Sequence, residues 1–235
     1  MNRAALFDVD GTLVDTNHLH VVCWWEALRQ AGHHLAMHDV HRAIGLPGEG
    51  LLGHLLGEDR DTSEDDALSD AHSTLYGTYF DRLPPFDAAA ELLRELDRRG
   101  WRVVLVTSAK DSELEALRKA IGADDAITAT ASSDDVDEGK PAPDPVHHAL
   151  GLAGAAARDA VFVGDTVWDM QAATRADVTC VGLLCGGIPQ RDLEEAGARA
   201  VYRHPADLLA HLDGSPFADT HEGAARSTPD PATPR

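Results

Sequence analysis

Three short apolar runs in this sequence are each followed at once by polar residues that could do chemistry. Asp8 and Asp10 follow the first run, Thr107 and Ser108 the second, and Asp165 the third. Apolar runs of this length that stop abruptly are typical of buried strands. In an open parallel sheet, ligands bind beyond the carboxyl ends of the strands. We therefore expect these side chains to lie together at one edge of a sheet.

The residue types at this edge suit the transfer of a phosphoryl group. Carboxylates of Asp8 and Asp165 would hold a small, hard cation such as Mg²⁺, which neutralises a phosphate that would otherwise face carboxylates. One Asp could then attack phosphorus as a nucleophile. The second Asp of the pair could reach a leaving oxygen from the following turn and serve as general acid and base. Gly11 in that turn lets the backbone approach the site closely.

A lysine in a separate loop supplies a positive charge for the same site. Lys140 lies between Gly139 and Pro141, in a chain that contains only three lysines. A lysine with these neighbours is not typical of a solvated helix face. Thr107 and Lys140 would hold the phosphoryl oxygens through a hydroxyl group and a charge.

The elements that must position these residues alternate between strands and helices from about residue 84 onward. With helices between them, strands are predicted near residues 4–7, 103–106, 126–128, 160–163, 178–184 and 200–202. This alternation predicts an α/β fold in which a Rossmann-like parallel sheet is covered by helices on both faces.

Two segments depart from this alternation. Residues 16–82 have apolar residues at helical spacing, and no strand is predicted between Thr12 and Pro84. From about residue 214 the periodic apolar residues stop, which predicts a disordered tail. We therefore expect a core formed by 1–15 and 83–213, a small inserted helical domain at 16–82, and a tail at 214–235.

Composition limits the class of partner and the compartment. The chain has 235 residues, 20 basic and 40 acidic, with a formal net charge of −20, so we expect no nucleic-acid partner. Three cysteines without a CxxC pair make a disulfide framework or a structural zinc site improbable. No apolar run is long enough for a membrane span, and Asp8 and Asp10 interrupt any secretory signal, so we expect a cytoplasmic protein that is a monomer or a homodimer.

Four ordered motifs resemble those of the haloacid dehalogenase superfamily. The stretch from Asp8 to Thr16, DVDGTLVDT, resembles the first motif, Thr107-Ser108 the second and Lys140 the third, and GDTVWD at 164–169 resembles the acidic fourth. Four motifs in the right order at strand ends are far more specific than a lone DxD. The resemblance spans residues 4 to about 212, and residues 16–82 are similar to the small cap domain of that superfamily.

The resemblance implies a role for each matching residue in Mg²⁺-dependent phosphoryl transfer. Asp8 would be the nucleophile and a metal ligand, and Asp10 the acid and base, with its backbone carbonyl on the metal. Thr107 and the backbone amides of Ser108 and Ala109 would bind phosphate. Lys140 would neutralise the phosphate and orient Asp8. Asp165 would ligate the metal, and Asp169 would support it directly or through water.

The same resemblance leaves alternative activities open. Dehalogenases lack the second Asp, and phosphonatases use a cap lysine, whereas residues 16–82 contain none. A phosphatase of small phosphorylated metabolites, similar to phosphoglycolate phosphatase, is therefore the leading hypothesis. A sugar phosphomutase similar to β-phosphoglucomutase is the alternative, although Pro47-Gly48-Glu49 lacks the arginine of the corresponding mutase stretch. A non-catalytic phosphate-binding module is the third, against which the presence of Asp8 and Asp10 argues.

Two residues of the 16–82 segment are candidates for substrate contact. His20 lies early in that segment and could face the site, either as a substrate contact or as a proton relay. Arg42 is the cation we would place near the cap loop, where it could hold a carboxylated substrate; a solvated helix arginine is the alternative. The acidic composition of this segment favours an uncharged leaving group such as a sugar or polyol. The other histidines are expected at the surface rather than on zinc.

Overall fold

The computed structural model describes residues 2–109, 111–132, 136 and 138–218. Six parallel strands form one sheet in the order β3-β2-β1-β4-β5-β6. The strands are β1 Asn2–Phe7, β2 Trp101–Val106, β3 Ile127–Ala131, β4 Ala155–Gly164, β5 Thr179–Leu183 and β6 Ala200–Tyr202. The predicted parallel α/β sheet is confirmed, and the strand predicted near 126–128 proves longer because Thr130 and Ala131 also pair with β2.

Helices cover both faces of this sheet. They are α5 Ala89–Arg98, α6 Asp111–Ile121, α7 Asp144–Ala153, α8 Val167–Arg175, α9 Gln190–Glu195 and α10 Pro205–Ala210. Ala5 and Phe7 of β1 pack into one apolar cluster with α5, while Ala4 and Leu6 pack into another with α7 and α8. Successive strand residues point to opposite faces, which explains why β1 is buried on both sides.

Four further helices lie between β1 and α5 in the chain. They are α1 Asn17–Gln30, α2 Met37–Ala43, α3 Gly48–Leu56 and α4 Asp65–Gly77. Their inner faces form a separate apolar cluster that includes Trp24, Leu28 and Leu52. Cys23 of α1 and Tyr76 of α4 instead join a cluster of the sheet. These helices thus have a small core of their own and also rest on the strand-bearing part of the chain.

The register of the strands places the predicted chemistry at one edge. Phe7, the last residue of β1, is aligned with Leu105 of β2 and with Val163 of β4. The backbone amide of Asp8 donates to the carbonyl oxygen of Val163 at 2.9 Å. Because β1 is central and its neighbours are parallel, the residues that follow all three strands meet beside Asp8.

The packed part of the chain extends beyond the boundary predicted for the tail. Ser215 and Phe217 are buried, although a disordered tail was expected from residue 214. The ring of Phe217 lies edge-on to Trp101, with centroids 5.0 Å apart, and is stacked at 6.4 Å on Phe7. A single aromatic residue in a polar segment has no periodic signal, so this packing could not be predicted from the sequence. Residues 219–235 of the predicted tail lie outside the described residues.

Replacing this aromatic ring tests its contribution to stability. Phe217→Ala removes a fully buried ring beneath the sheet, so we expect the free energy of unfolding to fall by about 3 kcal/mol. Urea denaturation followed by circular dichroism measures the change. The matched control is Leu152→Ala, whose side chain is 39% exposed and should cost less than about 0.5 kcal/mol. Equal losses in the two variants would contradict the packing role of Phe217.

Candidate active site

Lys140 and two carboxylates form the centre of the site. The Nζ atom of Lys140 pairs with Oδ1 of Asp8 and lies 2.7 Å from Oδ1 of Asp169. It also donates to the backbone carbonyl of Val106 at 3.4 Å. All three charged side chains are buried, so water screens their interactions weakly. The lysine therefore fixes the positions of both carboxylates.

Asp165 is the third carboxylate of the centre and is held from three sides. The hydroxyl group of Thr12 donates to its Oδ1 at 2.8 Å, and Nδ2 of Asn17 donates to its Oδ2 at 2.7 Å. The Asn17 amide also donates to the carbonyl of Gly186 at 3.2 Å. These residues come from the turn after β1, the start of α1 and the segment after β5, so long-range folding orients Asp165.

Asp169 has two structural roles within the same turn. Its Oδ2 accepts hydrogen bonds from the backbone amide and the hydroxyl group of Thr166, at 3.0 Å and 2.7 Å. The Thr166 hydroxyl group in return accepts from the Asp169 amide, which completes a capping box at the start of α8. The cap leaves Oδ1 of Asp169 to face Lys140.

The charges of this centre fit a divalent cation. Carboxylate oxygens of Asp8, Asp165 and Asp169 all lie within 4.8 Å of one another, and the side chains are buried. Burial raises the pKa of Asp8 to about 7 although Lys140 opposes the shift, and burial and the neighbouring carboxylates raise the pKa of Asp165 well above its ordinary value. One lysine does not neutralise three carboxylates, and a hard cation that prefers oxygen ligands would supply the missing positive charge.

Asp10 is held by a chain of polar side chains from the helices between β1 and β2. Its Oδ1 accepts a hydrogen bond from the hydroxyl group of Thr16 at 2.6 Å and lies 3.2 Å from Nε2 of His20. Nδ1 of His20 lies 3.0 Å from Nε2 of His72, whose ring stacks on Trp24. Burial opposes ionisation of Asp10, but the hydrogen bonds from His20 and Thr16 outweigh it and lower its pKa.

The residues after β2, which were predicted to bind phosphate, lie at the same edge of the sheet as Asp8. Thr107 is buried and its amide donates to the carbonyl of Ala131, while Ser108 is exposed and lines the cavity above Asp8. The amide of Ala109 donates to the Thr107 hydroxyl oxygen at 3.0 Å. In this state the Ala109 amide therefore holds Thr107 in place.

Two glycines leave the space that Asp165 occupies. Gly11 has a φ of +76°, and a Cβ atom there would lie 2.5 Å from Oδ2 of Asp165. A Cβ atom on Gly186 would lie 1.7 Å from the same oxygen. Gly11 is thus required for both its backbone conformation and the close approach of a carboxylate. It is not among the described residues that line the cavity.

A cavity of about 920 Å³ opens above these residues. Its floor is formed by residues of the strand-bearing part, including Asp8, Asp10 and Lys140. Its walls include Trp24, Leu51 and other residues of helices α1 to α4. A volume of this size accommodates a small metabolite.

The structure brings most of the predicted site residues together and separates one of them. Asp8, Asp10, Thr107, Ser108, Lys140 and His20 line the cavity, with Asp165 and Asp169 beneath them. Arg42 lies elsewhere: its guanidinium group pairs with Asp192, and it is not among the described residues that line the cavity.

Sequence reasoning missed several residues that support the site. Thr16, the last residue of the first motif, was given no role in the predicted site, yet its hydroxyl group contacts Asp10. Asn17 and His72 carried no local signal, because their partners are 148 and 52 residues away. Glu113 was also missed; one of its carboxylate oxygens lies 4.0 Å from Nε2 of His20, and burial together with Asp10 raises its pKa to about 7.

The fold and the site define the class of protein. The chain belongs to the haloacid dehalogenase-like hydrolases, whose family pattern matches residues 2–177. The solved structure of a hydrolase from Pseudomonas syringae is 37% identical and superimposes with a TM-score of 0.86, covering 91% of this chain and 99% of that one. The resemblance seen in the four motifs is thereby confirmed.

Named relatives narrow the class to phosphatases. The chain is 28% identical over 223 residues to a phosphoglycolate phosphatase of Yersinia pestis, covering 88% of this chain and 91% of the relative. It is 29% identical over 169 residues to the pyrophosphatase PpaX of Bacillus cereus, covering 72% and 76% of the two chains. The protein is a phosphatase of this hydrolase family. Among its described residues, no helix is both long enough and apolar enough to cross a membrane.

A substitution at Gly186 tests the packing around Asp165. Gly186→Ala places a Cβ atom where the Asp165 carboxylate lies, so that carboxylate must shift. We expect the kcat/KM for p-nitrophenyl phosphate to fall about tenfold or more, since small misplacements of site groups are costly. Phosphate release with a divalent cation present measures the effect. The control Gly151→Ala meets no atom within 4 Å and should keep full activity; a similar loss in both variants would contradict the role of Gly186.

Proposed function

We propose that the protein is a Mg²⁺-dependent phosphate monoester hydrolase that acts on a small phosphorylated metabolite through an aspartyl-phosphate on Asp8. The observation that carries this proposal is the ion-paired cluster of Asp8, Lys140 and Asp169, with Asp165 adjacent and Asp10 at the same cavity. A nucleophile, an acid and base, and a cation site thus surround one position for a phosphoryl group.

The residues that would hold Mg²⁺ are Asp8, the backbone carbonyl of Asp10, Asp165 and Asp169. When bound, the cation supplies charge that offsets the carboxylates and the phosphate. The chain itself contributes Lys140, whose pKa is raised by Asp169 and Asp8 against the effect of burial, so it stays charged. Thr107 and Ser108 face the phosphoryl oxygens with hydroxyl and backbone donors.

The first displacement forms the covalent intermediate. A carboxylate oxygen of Asp8 attacks phosphorus, an oxygen–phosphorus bond forms, and the bond from phosphorus to the leaving oxygen breaks in line with it. Asp10 gives a proton to the leaving oxygen, so that an alcohol departs. His20 supplies that proton to Asp10, because it lies 3.2 Å from Oδ1 and its pKa is raised by Asp10 against the effect of burial. Lys140 keeps the Asp8 carboxylate directed toward the cavity throughout.

The second displacement regenerates the enzyme. Asp10, now ionised, accepts a proton from water as the water oxygen attacks phosphorus. The bond between phosphorus and Asp8 breaks, which releases inorganic phosphate and restores the Asp8 carboxylate. Thr16 and His20 hold the Asp10 carboxylate between the two steps, since both contact its Oδ1.

Helices α1 to α4 act in this proposal as a cap over the core formed by residues 1–15 and 83–213. Their residues form the walls of the cavity, whereas the strand ends form its floor. Closure of such a cap excludes bulk water and positions the leaving group. The role of the cap explains why Asp10 is tied to α1 and α4 through His20 and His72.

The lining of the cavity favours a phosphatase over a phosphomutase. A mutase that works through a bisphosphate must hold a second phosphate at the far end of its substrate. Pro47 and Glu49 occupy the cap stretch where the mutases carry an arginine, and both line the cavity. Lys140 is the only lysine or arginine among the described lining residues.

Two substitutions separate the roles of the paired aspartates. Asp8→Asn removes the nucleophile and should lower turnover about a thousandfold or more, with the melting temperature preserved. Asp10→Asn should strongly reduce hydrolysis of an alkyl phosphate and reduce that of p-nitrophenyl phosphate less, because an aryl leaving group needs little protonation. Initial rates of phosphate release measure both.

The control for these variants is Asp97→Asn, an exposed carboxylate on α5. It should leave both rates unchanged. Near-normal turnover in Asp8→Asn would disprove the assigned nucleophile, and equal losses on both substrates in Asp10→Asn would disprove its role as acid.

Metal dependence can be read from stability as well as from activity. EDTA should abolish turnover and Mg²⁺ should restore it. A cation that binds only the folded protein stabilises it by about 2.7 kcal/mol at one hundred times its dissociation constant, so Mg²⁺ should raise the melting temperature. Asp165→Asn removes a fully buried charge and should be at least as stable as the wild type without Mg²⁺, yet gain little from the ion. An unchanged Mg²⁺ response in this variant would place the ion elsewhere.

A further inference from the structure

The cavity above the catalytic aspartates has an uneven distribution of charge. Lys140 is the only lysine or arginine among its described lining residues, and its charge is engaged by Asp8 and Asp169.

Glu49 and Asp66 also line the cavity, and Glu113 lines it close to Asp10 and His20, with polar side-chain atoms of Asp10, His20 and Glu113 within 4.8 Å of one another. His20 is the lining histidine whose pKa is raised, but it is paired with Asp10 at 3.2 Å and lies 4.0 Å from Glu113. A negatively charged leaving group would therefore meet carboxylates whose neighbouring cations are already paired.

The positive charges of the residues between β1 and β2 are all engaged elsewhere. The part of this stretch at 16–82, which supplies the walls of the cavity, contains no lysine and four arginines. Each arginine lies against a partner of its own: Arg29 on Glu26, Arg42 on Asp192, Arg60 on Asp65 and Arg82 over the ring of Tyr79. None of the four is among the described residues that line the cavity.

Arg60 pairs with a residue of the lining, Asp65. Its guanidinium group binds both carboxylate oxygens of Asp65. Nε donates to Oδ1 at 3.1 Å, and Nη2 donates to Oδ2 at 2.7 Å. Its side chain is only 8% exposed, and Nη2 also donates to the carbonyl of Glu49. A guanidinium group held in this way is not available to a substrate anion.

Hydroxyl groups supply the remaining polar character of the cavity. Ser69, Ser73 and Thr74 of α4 and Ser112 of α6 all line it. Hydroxyl groups both donate and accept, so they suit a substrate that carries several hydroxyl groups of its own. The apolar wall formed by Trp24 and Leu51 suits the carbon skeleton of such a substrate.

We propose, on the basis of the phosphatase activity proposed above, that the leaving group carries no negative charge. The substrate class is the monophosphate of a sugar or polyol, and a protonated amine is accepted in place of a hydroxyl group. Substrates with a carboxylate or a second phosphate on the leaving group are disfavoured. This separates the chain from the phosphoglycolate phosphatase and the pyrophosphatase that it resembles at 28% and 29% identity.

A charge-matched panel tests this proposal. Glucose 6-phosphate, glucosamine 6-phosphate and 6-phosphogluconate have the same carbon number but differ in charge. Ethylene glycol monophosphate and phosphoglycolate form a second pair with two carbons. We expect the kcat/KM of each substrate without a further anionic group to exceed that of its carboxylated partner by about tenfold or more. Equal or faster hydrolysis of the carboxylated partners would overturn the proposal.

The same panel distinguishes failure of this inference from failure of the phosphatase proposal. p-Nitrophenyl phosphate with Mg²⁺ reports hydrolysis independently of the charge preference. If it is hydrolysed and the carboxylated substrates are preferred, only the substrate class is wrong. If neither it nor any member of the panel is hydrolysed, the proposed function itself fails, and this inference with it.

A charge reversal in the lining provides the matched variant. Asp66→Lys places a cation at the cavity and should improve the ratio of 6-phosphogluconate to glucose 6-phosphate hydrolysis about fivefold. The control Asp70→Lys lies one turn further along α4 and is not among the described lining residues, so the ratio should not change. Equal ratios in the two variants would overturn the proposal.

Lys110 lies outside the described residues and follows, in the sequence, the residues predicted to bind phosphate. The panel is therefore repeated with Lys110→Ala. We expect the same order of substrates. A wild-type preference for carboxylated substrates that disappears in Lys110→Ala would overturn the proposal and assign that lysine to the leaving group.

Discussion

The concentration of buried carboxylates around one lysine is the constraint on which the rest of this structure depends. Asp8, Asp165 and Asp169 lie within 4.8 Å of one another, and Lys140 contacts two of them. Buried carboxylates whose negative charge is not fully neutralised by neighbouring cations lower the stability of the fold, because burial disfavours the charged form. The surrounding fold must therefore supply the free energy that keeps them together, and it does so through a sheet buried on both faces.

The topology of the sheet explains how these groups meet although they are far apart in the chain. β1 is central, and β2 and β4 flank it in parallel. The residues that follow each strand consequently share one edge. The turn after β1 then needs glycine, because Gly11 combines a positive φ with close approach to Asp165. The same turn leads directly into α1, which links the catalytic edge to the helices that wall the cavity.

The distribution of polar partners suggests a division of labour between the two parts of the cavity. In the proposed function, residues at the strand ends hold the phosphoryl group and the cation, and their geometry depends on ion pairs and a capping box. Residues of α1 and α4 hold Asp10 through Thr16, His20 and His72. Asp10, the proposed acid and base, is thus coupled to the helices that contact the leaving group. The proposed phosphoryl chemistry at the floor is therefore compatible with a leaving group selected by the walls.

Local sequence was sufficient to predict the elements and most residues of the floor. Apolar runs that stop at Asp8, Thr107 and Asp165 identified three strand ends, because burial on both faces requires continuous apolar residues. Lys140 was found from its Gly and Pro neighbours and from its place in the motif order. These signals depend on neighbouring residues in the chain, so they can be recognised from the sequence alone.

Only the tertiary structure decided which side chains meet across long separations. Asn17 contacts Asp165, and His20 contacts His72, through pairings that no spacing rule encodes. Arg42 was a candidate for substrate contact, but its pairing with Asp192 takes it away from the cavity. Phe217 was assigned to a tail, yet it packs against Trp101. The sequence by itself determined the strands, the helices and the chemistry at the strand ends, whereas packing between distant segments determined which charges remain available to a substrate.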